Sequence, residues 1–67
     1  MSVAKVTEIS ACSKESFDDA VREGILRASK TLSHIKGAWV YDFKIEVDGG
    51  KVEKYCVKMK VTFVLKD

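Results

Sequence analysis

The stretch Trp39-Val40-Tyr41-Asp42-Phe43-Lys44-Ile45-Glu46-Val47, followed by Asp48-Gly49-Gly50 and then Lys51 to Leu65, decides the fold. Its odd positions Trp39, Tyr41, Phe43, Ile45 and Val47, then Tyr55, Val57, Met59, Val61, Phe63 and Leu65, are apolar or aromatic. Most even positions between them are charged or polar. A two-residue period is a strand period, because successive side chains of a strand point to opposite faces. Asp48-Gly49-Gly50 supplies the positive backbone φ angles of a tight hairpin connection. The two runs therefore form a long hairpin with one apolar face.

Upstream, Val3 to Ile9 is short and rich in β-branched residues, which predicts a first strand over residues 3–9. Ser13 is placed to cap a helix, with Glu15, Asp18 and Asp19 at the positive end of its dipole. Phe17, Ala20, Val21, Ile25, Ala28, Leu32 and Ile35 recur at three- and four-residue spacings and form its apolar stripe. The pattern predicts a helix of about 20 residues, roughly 30 Å long and as long as the hairpin, with Gly37 just past its end and His34 at its negative end. The order is strand, helix, strand, strand, in one α+β domain over residues 1–67. Phe17 and Val21 are expected to face odd residues of the last strand such as Val61 and Phe63.

A chain of 67 residues is at the size where a single hydrophobic core rarely suffices. Two cysteines, Cys12 and Cys56, are too few for a disulfide scaffold, and neither they nor the lone His34 show a metal-ligand spacing. Self-association into a closed homo-oligomer is the remaining remedy, since closure buries strand edges and apolar rims without leaving fibre-forming ends.

Lys and Arg number 12 against 10 Asp and Glu, for a net charge of +2, which argues for solubility rather than for nucleic acid. No signal-peptide or membrane-length apolar run is present, so the expected location is the cytoplasm and a membrane partner is not expected. There is no Gly-rich phosphate loop, no Ser/His/Asp set and no pair of carboxylates in an apolar setting, so the expected function is non-enzymatic.

Ala4-Lys5-Val6, Ser13-Lys14-Glu15-Ser16-Phe17, Ala20, Ile25, Arg27-Ala28, Thr31-Leu32 and the alternation from Tyr55 to Leu65 together resemble the dodecins. The resemblance spans nearly the whole chain. It implies a β-α-β-β protomer, a three-stranded antiparallel sheet curled around one helix, and assembly as a hollow dodecamer with a ligand-binding or storage role. In flavin-binding members a tryptophan just after the helix stacks on the isoalloxazine ring, and a glutamine in the last strand bonds its polar edge. Here those positions fall on Gly37 and Cys56, so the resemblance predicts that flavin binding is weak or lost. Some members lacking these residues are linked to other ligands, including calcium, and this chain is more similar to that group.

Trp39 is read as a core or subunit-contact aromatic, with a displaced platform for riboflavin or FMN as the alternative; strand alternation sets it on the same face as Gly37. Cys56 is read as a small half-buried residue rather than a nucleophile, since no base or second cysteine stands at an interpretable spacing. Asp42, Glu46 and Asp48 show no calcium-loop spacing. Lys54, Lys58 and Lys60 form a wet face that offers a nucleic-acid or phosphate site as a further alternative, one that lacks aromatics interleaved beside the lysines.

Overall fold

The structure is a computed structural model. It describes residues 3–65, so residues 1, 2, 66 and 67 of the expected domain lie outside the described part. Strand β1 (Val3–Ser13) leads to helix α1 (Phe17–Ala28), then to strands β2 (Ile35–Asp48) and β3 (Lys51–Leu65). The sheet order is β1-β3-β2 with both pairings antiparallel, so β3 is central and β1 and β2 are edges. The hairpin turn is as expected: Gly49 (φ 58°) and Gly50 (φ 78°) are both left-handed, as a two-residue type I′ connection requires.

The helix differs from the expectation at both ends. It is capped by Ser16, whose Oγ accepts from the Asp19 amide at 2.9 Å. Ser13 instead ends β1, where its Oγ accepts from the Glu15 amide at 2.8 Å and donates to Asp19 Oδ2 at 2.6 Å. The helix stops at Ala28, because Ser29 and Thr31 turn their hydroxyls back onto the carbonyls of Leu26 and Ala28 and the backbone tightens to three-residue bonds from Lys30 and Thr31. His34 then takes a left-handed φ of 61° and its carbonyl accepts from the Val64 amide, which sends the chain into β2. Gly37 therefore lies within β2, not behind a helix end, and His34 sits in the connection rather than in the last helical turn.

Twelve helical residues span about 18 Å, well short of the strands. The helix covers the middle of one sheet face. Ala20, Val57, Met59 and Val61 are the buried core there, with Ile9, Ala11, Phe17, Val21, Ile25, Leu32, Ile35 and Val40 packed around them. The odd-numbered side of β3 is thus the buried one, as read from its alternation. Phe17 packs edge-on against Phe43 and Tyr55, toward the hairpin turn, rather than toward Phe63.

Gly24 sets how closely α1 approaches the sheet. A Cβ at this position would lie 2.8 Å from Met59 Cε and 2.9 Å from Ala11 Cβ. The Met59 tip can swing away, but the Ala11 methyl is fixed to the sheet backbone. Gly24→Ala should therefore destabilise by about 1 to 3 kcal/mol through overpacking, despite a gain of up to about 1 kcal/mol in helix propensity. Gly37→Ala, with nothing within 4 Å of its Cβ, should be neutral when both variants are unfolded in urea. Equal effects would mean that α1 does not rest on β1 and β3 through Gly24.

Candidate functional site

The sheet face away from the helix carries every sequence-predicted site residue. Register explains how. Along β2 there is one extra residue between the pairs Val40↔Met59 and Asp42↔Lys58, so Tyr41 is a bulge. The bulge shifts the phase of the strand. Phe43 and Ile45 pair with Val57 and Tyr55 on the helix side, whereas Trp39 pairs with Lys60 and Gly37 with Thr62 on the other side. The single odd-numbered apolar face expected for β2 is thus split: Trp39 and Tyr41 leave the core side.

There they form a cluster around Lys60. Its Nζ lies 5.2 Å from the Trp39 ring centroid and 5.1 Å from that of Tyr41, within cation-π range. The Tyr41 ring crosses over β3, and its hydroxyl donates to Glu8 Oε1 on β1. That hydrogen bond, foremost, and the charges of Glu8 and Asp42 raise the Tyr41 pKa above its ordinary value. Trp39 is 64 % exposed, so it is not a core residue of the protomer. Aromatics do stand beside a lysine of this face, contrary to the sequence reading. The same register puts Glu46 opposite Lys54 and Asp42 opposite Lys58, which breaks up a basic stripe.

Farther along β3 the third predicted residue has an unforeseen partner. Cys56 pairs directly with Cys12 of β1, and the two form a disulfide. A second cysteine does therefore stand at a meaningful place, through strand register rather than sequence spacing. Glu46 Oε2 lies 4.0 Å from Cys56 Sγ, and Lys44 is the β2 residue opposite Cys56. With Ser10, Asp42 and Lys58 these residues line a recess of about 220 Å³. Gly37 and Cys56 are not brought together within one protomer. Gly37 is level with Thr62, and the six-residue step from there to Cys56 covers about 20 Å along β3.

The architecture and this chain's sequence have close counterparts. A family profile named Dodecin matches residues 3–66. The chain belongs to the dodecin family. Dodecin from Streptomyces davaonensis is 35% identical, with a TM-score of 0.95 over 98% of this chain and 97% of that one. A dodecin from Thermus thermophilus is 28% identical, with a TM-score of 0.95 over the whole of both chains. The calcium-chelating antigen calcium dodecin of Mycobacterium tuberculosis, described with a novel calcium-binding site, is 32% identical, with a TM-score of 0.83 over 96% of this chain and 91% of that one. No curated protein sequence matches significantly.

Membership in the dodecins accounts for the β-α-β-β order and the three-stranded antiparallel sheet around one helix. Flavin-binding dodecins are known as non-enzymatic proteins, and dodecin homologues form homo-oligomers. Among the described residues no helix is long and apolar enough to cross a membrane. The sequence reading missed Glu8 and Lys60 as members of the Trp39 and Tyr41 cluster, and Cys12 and Glu46 as neighbours of Cys56. All four depend on cross-strand register, and no local pattern carries it.

Proposed function

We propose that this chain is a non-enzymatic, self-assembling ligand-binding or storage protein of the dodecin type, closed as a homododecamer, whose flavin binding is weak or lost. The observation that carries the flavin part is the surface at Gly37 and Cys56. Gly37, at the family's stacking position, has no side chain and so offers no ring, and the space where one would begin is open. At Cys56, the family's edge-recognition position, the sulfur is bonded to Cys12 and has no proton to donate. The roughly 20 Å between them means that a flat ligand touching both would have to lie between protomers.

Self-association is supported by what the protomer leaves uncovered. It measures 52 × 19 × 13 Å with a radius of gyration of 13.8 Å, against about 11 Å for a compact chain of this length. Phe43, Ile45, Val47 and Leu26 are all exposed, Phe43 by 57 %, and such apolar surface marks contacts with other chains. Both outer strands have free edges.

Light scattering coupled to size exclusion, with the absorbance spectrum of the protein as first purified, tests the reading. The expected result is a dodecamer without a flavin band. A folded monomer at micromolar concentration would refute the assembly. Loss of one stacked ring, worth about 1 to 3 kcal/mol by analogy with nucleobases, weakens affinity by about 5- to 150-fold. Titrating dilute riboflavin should therefore show little quenching, and Gly37→Trp should increase it. Exposed Trp39, on the same face as Gly37, favours a second reading in which it has taken over the stacking. In that case the unmodified protein quenches flavin strongly and Trp39→Ala abolishes the effect.

A further inference from the structure

We propose that Cys12 and Cys56, when reduced, bind a thiophilic divalent cation of the Zn²⁺ class together with Glu46, and that formation of the disulfide closes this site. The inference is independent of the flavin reading. Three strands converge to build the group: β1 brings Cys12 directly opposite Cys56 of β3, and β2 adds Glu46 from the other side. The two Sγ atoms and a carboxylate oxygen all lie within 4.8 Å of one another. Tetrahedral zinc with bonds of about 2.0 to 2.3 Å sets its ligands about 3.5 to 3.8 Å apart. The 4.0 Å from Glu46 Oε2 to Cys56 Sγ is already near that spacing, and loss of the S–S bond lets the sulfurs move apart toward it.

The surroundings fit a cation held by three anionic ligands. Two thiolates and one carboxylate exceed the charge of a divalent ion by one, and Lys44, opposite Cys56, offsets that residue of negative charge. Cys12 and Glu46 are exposed, so the metal and the reductant have access, and the recess of about 220 Å³ leaves room for water as a fourth ligand. Thiolates select zinc-like ions over calcium, which takes oxygen ligands. A disulfide serving only as a staple has no need of a carboxylate against its sulfur.

The chemistry balances with ordinary co-reactants. A phosphine and water reduce the disulfide: two electrons and two protons convert the sulfurs to thiols, and the phosphine keeps the oxygen of water as its oxide. Zn²⁺ then displaces one proton from each thiol. An external disulfide of the glutathione class reverses this by accepting the two electrons and two solvent protons as two thiols, which releases Zn²⁺ and restores Cys12–Cys56.

The test is calorimetric titration of the untagged, full-length protein with Zn²⁺, before and after phosphine reduction, with Co²⁺ as the absorbing substitute. The reduced protein should take up one Zn²⁺ per protomer and the oxidised protein none. Co²⁺ should show a thiolate charge-transfer band, and Ca²⁺ should not distinguish the two redox forms. Glu46→Gln should weaken Zn²⁺ binding by about 10-fold or more, and the double change Cys12→Ser with Cys56→Ser should behave as the oxidised protein does. Equal uptake by the reduced and oxidised forms, or a Co²⁺ adduct lacking the thiolate band, would overturn the proposal. Neither comparison requires a variant, so poor folding of a substituted chain leaves the decision intact.

Discussion

Met59→Ala should lower the free energy of unfolding by about 2 to 5 kcal/mol, the range for truncating a long apolar side chain in a packed core. Met59 is 0 % exposed, stands on the central strand, and has Ile9 and Val40 as its neighbours on β1 and β2. Its Cε also reaches the surface of α1 at Gly24. Truncation would leave a void beneath the helix on the central strand, between Ile9 and Val40. Urea unfolding with the slope unchanged and the midpoint lowered is the expected result. Lys58→Ala, one residue away on the exposed face, should change little. A pairing of the two core changes is informative as well: the cavity left by Met59→Ala should relieve part of the crowding in Gly24→Ala, so the double variant should be less destabilised than the sum. A Met59 effect as small as that of Lys58 would mean that the wrong side of β3 has been identified as buried.

Opening the disulfide between Cys12 and Cys56 should cost about 4 kcal/mol, from the entropy that a cross-link over this separation removes from the unfolded chain. The two residues are 44 apart in sequence, and the bond ties the first strand to the last. In a chain of this size that is a large share of ordinary domain stability. Unfolding midpoints with and without phosphine, at one fixed protomer concentration because assembly adds its own stabilisation, would show it. Cys12→Ser with Cys56→Ser should match the reduced protein. If the site proposed above exists, Zn²⁺ should return part of the loss to the reduced protein and none to the serine variant. Identical midpoints under oxidising and reducing conditions, with two titratable thiols in each, would show that the cysteines do not pair.

The alternation from Tyr55 to Leu65 and the paired glycines at 49 and 50 were enough to establish β3, its buried side and the hairpin, because strand period and positive φ are local properties of a few residues. Likewise the apolar stripe from Phe17 to Ala28 is visible as a helix. Its true ends were not, because Ser13 and Ser16 are both suitable caps, and only the extension of β1 to Ser13 assigns the role to Ser16. At the far end Leu32 and Ile35 continue the helical spacing but pack against the core from the connection and from β2, so a correct apolar pattern belonged to a different element.

The candidate site was legible only as isolated residues. Gly37, Trp39 and Cys56 stood out through family resemblance, and the shared face of Gly37 and Trp39 followed from simple alternation, since both precede the bulge. What surrounds them did not. A single extra residue at Tyr41 reverses which of the β2 aromatics reach the core, and the bulge arises from pairing with β3 rather than from any local preference. Cys12 and Cys56 meet because residues far apart in the chain share one register. The sequence by itself determined the elements and the family, since periodicity and turn chemistry act over a few residues. The tertiary structure alone decided the phase of β2, the limits of the helix and the partners of Cys56, because register is set by the sheet as a whole.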